Sequence, residues 1–276
     1  MTMENAGLHQ HGRLCSVEFR VLARRRIWLM LLPIVGLYGI LSALNVKNGI
    51  SDHLLNPWQI GVMVLGGPSF QASVLKILEW LIIPGAFVLG VGEPYSLLAT
   101  SWNQLVLVRV PSRWRFWWGR TVTWYGWALL YGLVVLGIGV VAGKMAHPSA
   151  AWGIPQTLSL DNLQIENGFL LIAWVGLSLV ATLWGYTTLL LLFSLFFSRP
   201  GVATIFTLVV GYGLTALGVN VPSVISYLRP LLGARLNLFP DTNLNGNDFL
   251  SLGISTGVWV FVGVLAGYSL FHRRSI

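Results

Sequence analysis

The sequence has very little charge. Of its 276 residues only 9% are Asp, Glu, Lys or Arg, whereas 55% are hydrophobic. A water-soluble domain of this length cannot bury that much apolar surface, and charged residues would normally cover its exterior. The composition therefore excludes an ordinary soluble globular protein and favours a chain whose apolar surface faces a bilayer.

Cysteine and acidic residues are also scarce. Cys15 is the only cysteine, which excludes an internal disulfide and a thiolate metal cluster. Nine acidic residues stand against 17 Lys and Arg, so the formal net charge is +8. The arginines recur at the ends of apolar stretches, where they are expected to anchor on anionic lipid headgroups. We therefore expect membrane lipids, and no nucleic acid, as partners.

Motifs for nucleotide and metal chemistry are missing. The sequence has no Gly-x-x-x-x-Gly-Lys-Ser/Thr loop, so it is not expected to bind ATP phosphates in that manner. His9, His11 and Cys15 lack a fourth ligand for a metal site. We therefore predict that this chain is not an enzyme and holds no cofactor or metal of its own.

One short motif is typical of serine nucleophiles. The segment Gly253–Gly257 matches Gly-x-Ser-x-Gly, but this chemistry needs a base close to Ser255, and the five histidines lie in tails or loops. Small residues that allow close helix packing explain the segment equally well, as they explain Gly263 and Gly267. We therefore interpret these positions as packing residues.

What the sequence does have is six apolar stretches, each long enough to cross a bilayer. A hydrocarbon core of roughly 30 Å is spanned by about 20 apolar residues in a helix. We therefore predict an all-α, polytopic membrane protein of the cell membrane, with a single transmembrane domain over residues 1–276. Its predicted spans are Ile27–Leu44, Val74–Gly92, Phe116–Ala142, Phe169–Phe197, Gly201–Val219 and Phe249–Leu270.

The basic residues fall mostly on one side of these spans. That side carries Arg13, Arg20, Arg24, Arg25, Arg26, Arg109, Arg113, Arg115, Arg120, Arg199, Arg273 and Arg274. The opposite loops hold only Lys47, Lys144, Arg229 and Arg235, partly balanced by acids. By the positive-inside rule, the tails 1–26 and 271–276 are both predicted to be cytoplasmic.

Two shorter segments are predicted to be helical without crossing the membrane. Leu14–Arg26 alternates apolar and charged residues at helical spacing, which predicts an amphipathic interfacial helix before the first span. The apolar run Trp58–Gly67 is too short to span and lies between Pro57 and Pro68. We interpret it as an interfacial or re-entrant segment.

The connection between spans two and three holds the densest pattern of the sequence. Apolar residues recur at helical spacing from Leu97 to Val108, which predicts a short helix lying in the interface, and Pro111 then interrupts the chain. An aromatic belt at headgroup level accounts for Trp114, Trp117 and Trp118. It does not account for an acid before this helix and spaced arginines after it.

This pattern resembles the permease subunits of type-2 ATP-binding-cassette transporters. In that family an acid ends span two, a short helix follows, and then come Arg-x-x-Ser-Arg and a basic residue seven positions on. The matching positions here are Glu93, Arg109, Ser112, Arg113 and Arg120. The six-span layout and the short turn Ser198–Pro200 agree with the resemblance, whereas the Trp-rich segment Arg113–Trp118 departs from the commoner aliphatic pattern.

The resemblance implies partners and a division of labour. Such permeases pair with a second permease chain, identical or different, and each docks a cytosolic ABC ATPase subunit that binds ATP and Mg²⁺. On this chain Ser96–Val110 would be the docking helix, with Ser101, Asn103 and Gln104 towards the ATPase. Arg109, Arg113 and Arg120 would hold the ends of this helix in place, by binding either lipid headgroups or Glu93. The implied activity is export of an amphipathic or lipophilic substrate.

Two charged residues in span two need a separate explanation. Lys76 and Glu79 stand three residues apart near the end of the span opposite the termini, where charge is costly and often functional. They can pair within one helical turn, or they can form a substrate or proton site.

Two other function classes stay open. An ion-coupled carrier would need interrupted spans with buried polar groups, whereas spans three to five are almost purely apolar. A membrane accessory or immunity protein would have no transport activity of its own.

Overall fold

The computed structural model describes nine helices and two short strands. It covers residues 19–20, 22–24, 26–49, 56–97, 112–149, 152–154, 156, 158–160, 163–165, 167–197, 199–237, 244 and 246–273. The elements are α1 (Trp28–Gly49), α2 (Pro57–Leu65), α3 (Val74–Leu97), α4 (Arg113–Ala146), β1 (Leu158–Leu160), β2 (Leu163–Ile165), α5 (Gly168–Phe196), α6 (Pro200–Asn220), α7 (Ile225–Leu228), α8 (Ala234–Asn237) and α9 (Gly246–Arg273).

Six of these helices are long and apolar enough to cross a membrane, as predicted. They are α1, α3, α4, α5, α6 and α9. The largest difference is in α4, which has 34 residues and extends beyond both predicted ends, Phe116 and Ala142. At 1.5 Å per residue it is about 51 Å long, so it exceeds a hydrocarbon core of about 30 Å. The chain therefore has the helices of a multi-pass membrane protein.

The helix termini cluster at two ends of the bundle. Arg113, at the start of α4, donates from Nη1 to the His272 carbonyl near the end of α9 at 3.1 Å. Gly90, near the end of α3, lies against the ring of Trp28 at the start of α1. Residues 197–199 join α5 to α6. We call this the terminus end, and the opposite end, with the connections 50–73, 147–167 and 221–245, the connection end.

The predicted short segment forms α2, a nine-residue helix that does not span the bundle. Asn56 is its N-cap, because its side chain accepts a hydrogen bond from the Trp58 amide at 2.9 Å. The Asn56 side-chain amide also donates to the Gly153 carbonyl at 2.9 Å. The Trp58 indole donates to the Trp152 carbonyl at 2.8 Å. The start of α2 is thus fastened to the connection between α4 and α5.

Glycines let α2 pack inside the bundle. Ile60 is fully buried, and Gly61 lies so close to Gly139 that an added Cβ would be 3.2 Å from its backbone. One turn further along α4, Gly143 lies against the Pro57 carbonyl. Small residues four apart allow this backbone approach between helices. The sequence left open whether this segment is interfacial or re-entrant. The burial of α2 within the bundle favours a re-entrant segment.

The connection between α6 and α9 contains short helical pieces. Pro222–Asn237 forms four short helical turns: Pro222–Val224, α7, Arg229–Leu231 and α8. Leu231 and Leu232 are fully buried, and Gly185 of α5 lies against the Pro230 carbonyl. Apolar contacts of this kind draw the segment into the bundle. We call Pro57–Gly67 and Pro222–Asn237 the first and second inserted segments; the second is interrupted between its short helices.

The connection between α4 and α5 contains a small antiparallel hairpin. Strands β1 and β2 pair with Leu158 opposite Ile165 and Leu160 opposite Leu163. We predicted an all-α chain, and the described residues are helical apart from this hairpin and irregular connections. The hairpin was missed because three-residue strands leave almost no periodic pattern in the sequence.

The contact of α9 with α4 and α5 relies on Gly263 and Gly267, as predicted. The packing interpretation is wrong for Gly253 and Gly257, which are exposed and would have no atom within 4 Å of an added Cβ. Gly263 lies against Thr188, and Gly267 lies against the ring of Trp117. The Trp117 indole donates to the Val264 carbonyl at 3.1 Å, and Trp117 is only 2% exposed. The aromatic-belt interpretation is therefore wrong for Trp117, which is a packing residue. Trp114 and Trp118 remain exposed and stack with ring centroids 5.8 Å apart.

Only part of the predicted amphipathic helix is described. Residues 19–20 and 22–23 are helical, and residues 14–18 lie outside the described residues. Leu22 is buried and its carbonyl accepts a hydrogen bond from the Trp28 indole at 2.9 Å. The Phe19 ring meets Trp127 edge-on at 4.8 Å. These contacts hold residues 19–28 against α4, and an interfacial position for the helix stays a prediction.

The arrangement gives a direct test of orientation. We expect reporters fused after Ile276 and inserted near Ser112 to be cytoplasmic, and one inserted near Asn243 to be external, because arginines concentrate at the terminus end. The measurement is the ratio of an export-dependent to a cytoplasm-dependent reporter enzyme at each site. A Ser112 insertion that reports an external position would contradict the six-span topology.

Candidate functional site

The two inserted segments meet backbone to backbone inside the connection end. The amide of Arg235 donates to the Gly66 carbonyl at 2.8 Å. An added Cβ on Gly233 would lie 2.8 Å from the Gly66 oxygen and 2.8 Å from the Gly67 Cα. Gly67 itself has a φ of 84°, a conformation that favours glycine. We call this contact, formed by Gly66, Gly67 and Gly233, the glycine contact.

Side chains of the spanning helices donate hydrogen bonds to backbone carbonyls of the segment Pro222–Asn237. Thr182 donates to the Leu232 carbonyl at 3.0 Å, and Thr215 donates to the Leu231 carbonyl at 3.3 Å. The Trp174 indole donates to the Ala234 carbonyl at 3.2 Å. Thr215 is five residues before the end of α6, so this contact lies about 8 Å inside that helix end. Irregular backbone at such depth is tolerated only where the protein supplies its partners or where it lines a cavity.

A polar cavity of about 290 Å³ lies beside the glycine contact. Its walls come from α1, from the end of α2 and the residues that follow it, from the first turns of α3, and from α8. Gly67 is part of the wall. The polar residues that line it include Tyr38, Ser42, Asn45, Lys76, Glu79 and Arg235. At this size it holds a headgroup or small polar molecule rather than a bulky ligand.

The structure places both Lys76 and Glu79 on this cavity. Each is exposed and lies in the first two turns of α3. Between the two explanations, a structural pair and a binding site, their shared place on a cavity wall favours the site. Trp80, which follows Glu79, is 2% exposed, and its buried indole N–H has no hydrogen-bond partner within the part of the chain that the structure describes. A buried donor without an acceptor is uncommon and needs an explanation.

Arg235 links the cavity to the inserted segments and was not singled out from the sequence. Its Nη2 donates to the Met63 carbonyl in α2 at 3.0 Å. Arg235, Glu79 and Tyr38 line the same cavity. Sequence analysis counted Arg235 only as a loop charge. A charged residue within the buried apolar run Leu231–Leu236 was the signal that could have marked it.

Arg229 is a buried cation that the sequence analysis counted only as a loop charge. It is 7% exposed and belongs to the second inserted segment. Burial lowers the pKa of its guanidinium, and the carboxylate of Asp248 opposes that shift. Its carbonyl accepts a hydrogen bond from the Asn237 side chain at 3.1 Å. Since arginine stays protonated in proteins, Arg229 adds a fixed positive charge near the start of α9.

Most of the predicted docking helix lies outside the described residues. This applies to Ser101, Asn103, Gln104 and Arg109. Glu93 and Ser96 belong to the last turns of α3, whose side chains there are also outside the described part. Ser112 is the N-cap of α4, with an extended backbone and no side-chain cap hydrogen bond. The end of α3 at Leu97 and the start of α4 at Arg113, which flank residues 98–111 in the sequence, both lie at the terminus end.

The two arginines at the start of α4 have different surroundings. Arg113 is exposed and bonds to the last turn of α9 through the His272 carbonyl. Arg120 is only 3% exposed, and its guanidinium lies 5.3 Å from the ring centroid of Trp124. Anchoring on lipid headgroups therefore suits Arg113, whereas Arg120 is held inside the bundle. A cation over an indole ring is a favourable arrangement for such a buried arginine.

The described fold defines a helical bundle with six membrane-length helices and two inserted segments that meet at one end. No protein-family model, curated protein or solved structure matches this chain. Its function is therefore argued from the geometry of the two ends and from the sequence pattern around Glu93–Arg120.

Proposed function

We propose that this protein is the membrane-spanning subunit of a transporter, and more narrowly the permease subunit of an ATP-driven ABC exporter. A single observation carries the general proposal. At one end of the bundle α5 ends at Phe196 and α6 begins at Pro200, while at the other end two inserted segments pack beside a polar cavity. Inserted, interrupted segments beside a polar cavity are typical of membrane transport proteins.

The terminus end supplies the support for a cytosolic partner. The turn at residues 197–199 keeps α5 and α6 close, and the hydrogen bond from Arg113 to the His272 carbonyl joins α4 to α9. Force applied to residues 98–111 would therefore reach α3 and α4 directly, because the connection continues into both helices. The energy source in this proposal is a cytosolic ABC ATPase that binds ATP and Mg²⁺. This chain contributes the docking helix.

The full assembly in this proposal contains two permease chains and two ATPases in the cell membrane, with both permease termini in the cytoplasm. Exposed apolar residues on α1, α6 and α9 leave wide faces for lipid and for the second chain. The proposed cargo is amphipathic or lipophilic, since an apolar bundle offers few polar groups along its spans. The connection end would act as the exit.

Purification of a tagged full chain from membranes of its own cell tests the narrow proposal. We expect an ATP-binding-cassette protein to co-purify in mild detergent, and the complex to hydrolyse ATP. The chain stripped of that partner should not hydrolyse ATP, because it has no phosphate-binding loop. Two quantities are measured, the ratio of the two proteins and the hydrolysis rate before and after stripping. Hydrolysis by the isolated chain, or no cassette protein in the complex, would count against the narrow proposal.

An ion-coupled carrier is the second candidate, and one observation favours it. The interrupted segments beside a polar cavity, together with the acid Glu79 on the cavity wall, are features expected of such a carrier. Transport by the chain reconstituted alone, driven by a proton or sodium gradient without ATP, would favour this candidate over the exporter.

A further inference from the structure

We propose that the polar cavity between α1, α2 and α3 binds a phosphoethanolamine group, that is, a phosphodiester that carries a primary ammonium, as the headgroup of a membrane phospholipid. The phosphate would lie towards Lys76 and Arg235, and the ammonium towards Glu79. This inference does not depend on the ATPase partner, because the cavity lies at the connection end, opposite the proposed docking helix.

The charges on the wall match a zwitterion. Two cations, Lys76 and Arg235, and one acid, Glu79, line a cavity of about 290 Å³. Because all three charged residues line the same cavity, one ligand inside it can reach groups of both signs. Arginine and lysine are the side chains that recognise phosphate, and a carboxylate accepts hydrogen bonds from an ammonium. A purely anionic ligand would be repelled by Glu79, and a purely cationic ligand would be repelled by Lys76 and Arg235.

The depth of the charges fits a headgroup. Lys76 and Glu79 are the third and sixth residues of α3, so they lie about 3 and 8 Å from its start. The headgroup layer on each side of a bilayer is on the order of 5–8 Å thick. In this proposal the start of α3 lies at the outer surface of the headgroup layer, which would place both side chains in or just below the region of the phosphate and ammonium groups.

The neighbouring surface fits acyl chains. Leu75 and Leu78 flank the two charges on α3 and are 65% and 47% exposed. Leu41 and Leu44 of α1 are also exposed. A free phosphoethanolamine molecule would use the charged wall alone, whereas a phospholipid would also cover these leucines. The leucine surface is the reason to assign the group to a lipid.

A buried donor on the same wall gives a second indication. Trp80 lines the cavity, and its buried indole N–H lies beside Gly67 and has no acceptor among the described residues. Burial of an indole N–H without an acceptor is unfavourable, and a small movement of the wall would turn it towards a phosphate oxygen. Trp80 is thus the additional donor expected on binding.

Native mass spectrometry of the delipidated full chain in detergent tests this inference with short-chain phospholipids as probes. We expect short-chain phosphatidylethanolamine to bind at least about tenfold more tightly than phosphatidylglycerol, which lacks the ammonium. Phosphatidylcholine should also bind more weakly, because its quaternary ammonium has no N–H to donate to Glu79. Equal binding of phosphatidylethanolamine and phosphatidylglycerol would overturn the proposal.

Two exposed positions give variants that leave the core intact. Glu79→Gln should weaken phosphatidylethanolamine binding at least about tenfold and spare phosphatidylglycerol, while Lys76→Gln should weaken both. Lys144→Gln is the matched control, because Lys144 lies at the same end outside the cavity wall and donates to the Pro148 carbonyl. Unfolding midpoints of all three variants should equal that of the wild type. Wild-type binding by Glu79→Gln would overturn the zwitterion assignment.

Soluble phosphoethanolamine separates the two sources of the ligand. In competition with short-chain phosphatidylethanolamine, the free molecule should displace the lipid only at concentrations at least about tenfold higher, because it cannot cover the leucines. Equal potency of the free molecule would mean that the cavity recognises a soluble ligand, and the lipid assignment would fail.

Discussion

Replacement of Gly233 by valine is expected to remove most of the folded protein. The change puts a side chain into the glycine contact, where even a Cβ would lie 2.8 Å from the Gly66 oxygen and the Gly67 Cα. Both neighbours are backbone atoms, so no rotamer change can make room. Overpacking of a close contact costs about 1–3 kcal/mol, and more where the neighbours cannot move. We expect the alanine variant to be intermediate.

The measurement is the yield of monodisperse protein in detergent and its unfolding midpoint. Gly137→Val is the matched control, because a Cβ at Gly137 of α4 would have no atom within 4 Å outside its own helix backbone. The control should insert and unfold like the wild type. Wild-type yield and midpoint for Gly233→Val would show that the two inserted segments do not touch as described.

The second large effect is expected at Asn103, within the proposed docking helix. Proline removes a backbone hydrogen bond and obstructs the preceding turn, which costs about 3 kcal/mol or more inside a helix. Asn103→Pro should therefore abolish transport and ATPase recruitment. Membrane insertion should be normal, because it depends on the apolar spans. The paired measurement is the membrane level of the variant and the amount of ATPase that co-purifies with it.

Asn103→Ala serves as the control for that variant. It keeps helical propensity and removes only one amide side chain, so recruitment should stay close to that of the wild type. Replacement of Arg113 alone should have little effect on stability, because exposed ion pairs contribute about 0–1 kcal/mol. Normal recruitment and transport by Asn103→Pro would mean that this connection is only a membrane anchor, and the resemblance to ABC permeases would lose its main residue-level support.

The spans could be predicted because the bilayer imposes a local rule. About 20 consecutive apolar residues are needed to cross it, and this requirement can be met only within one segment. The same reasoning predicted that α2 would not span, since its apolar run is too short. Helix ends were less well predicted, and α4 begins at Arg113 rather than Phe116. Protein contacts such as the bond from Arg113 to His272 extend that helix beyond what hydropathy indicates.

The second inserted segment could not be predicted in the same way. Its backbone is held by Thr182 and Trp174 of α5 and by Thr215 of α6, which lie 16–60 residues away in the sequence. No local sequence pattern predicts hydrogen-bond partners that are this far apart. For the same reason Arg235 was interpreted as a loop charge, although Lys76 and Glu79 were singled out by their position in an apolar span. The sequence therefore identified the cavity residues of α3, Lys76 and Glu79, and did not identify Arg235 of α8.

The hydrogen bonds of Arg235 have a mechanical consequence. Its amide and guanidinium both hold carbonyls of the first inserted segment, at Gly66 and Met63, while Gly233 fills the remaining space. These groups engage together or not at all, because close-packed contacts do not stretch. If the protein transports as proposed, passage at this end would require either that the two segments separate in one step or that they shift together as one unit. The contact would then open only above a threshold force and would not yield gradually.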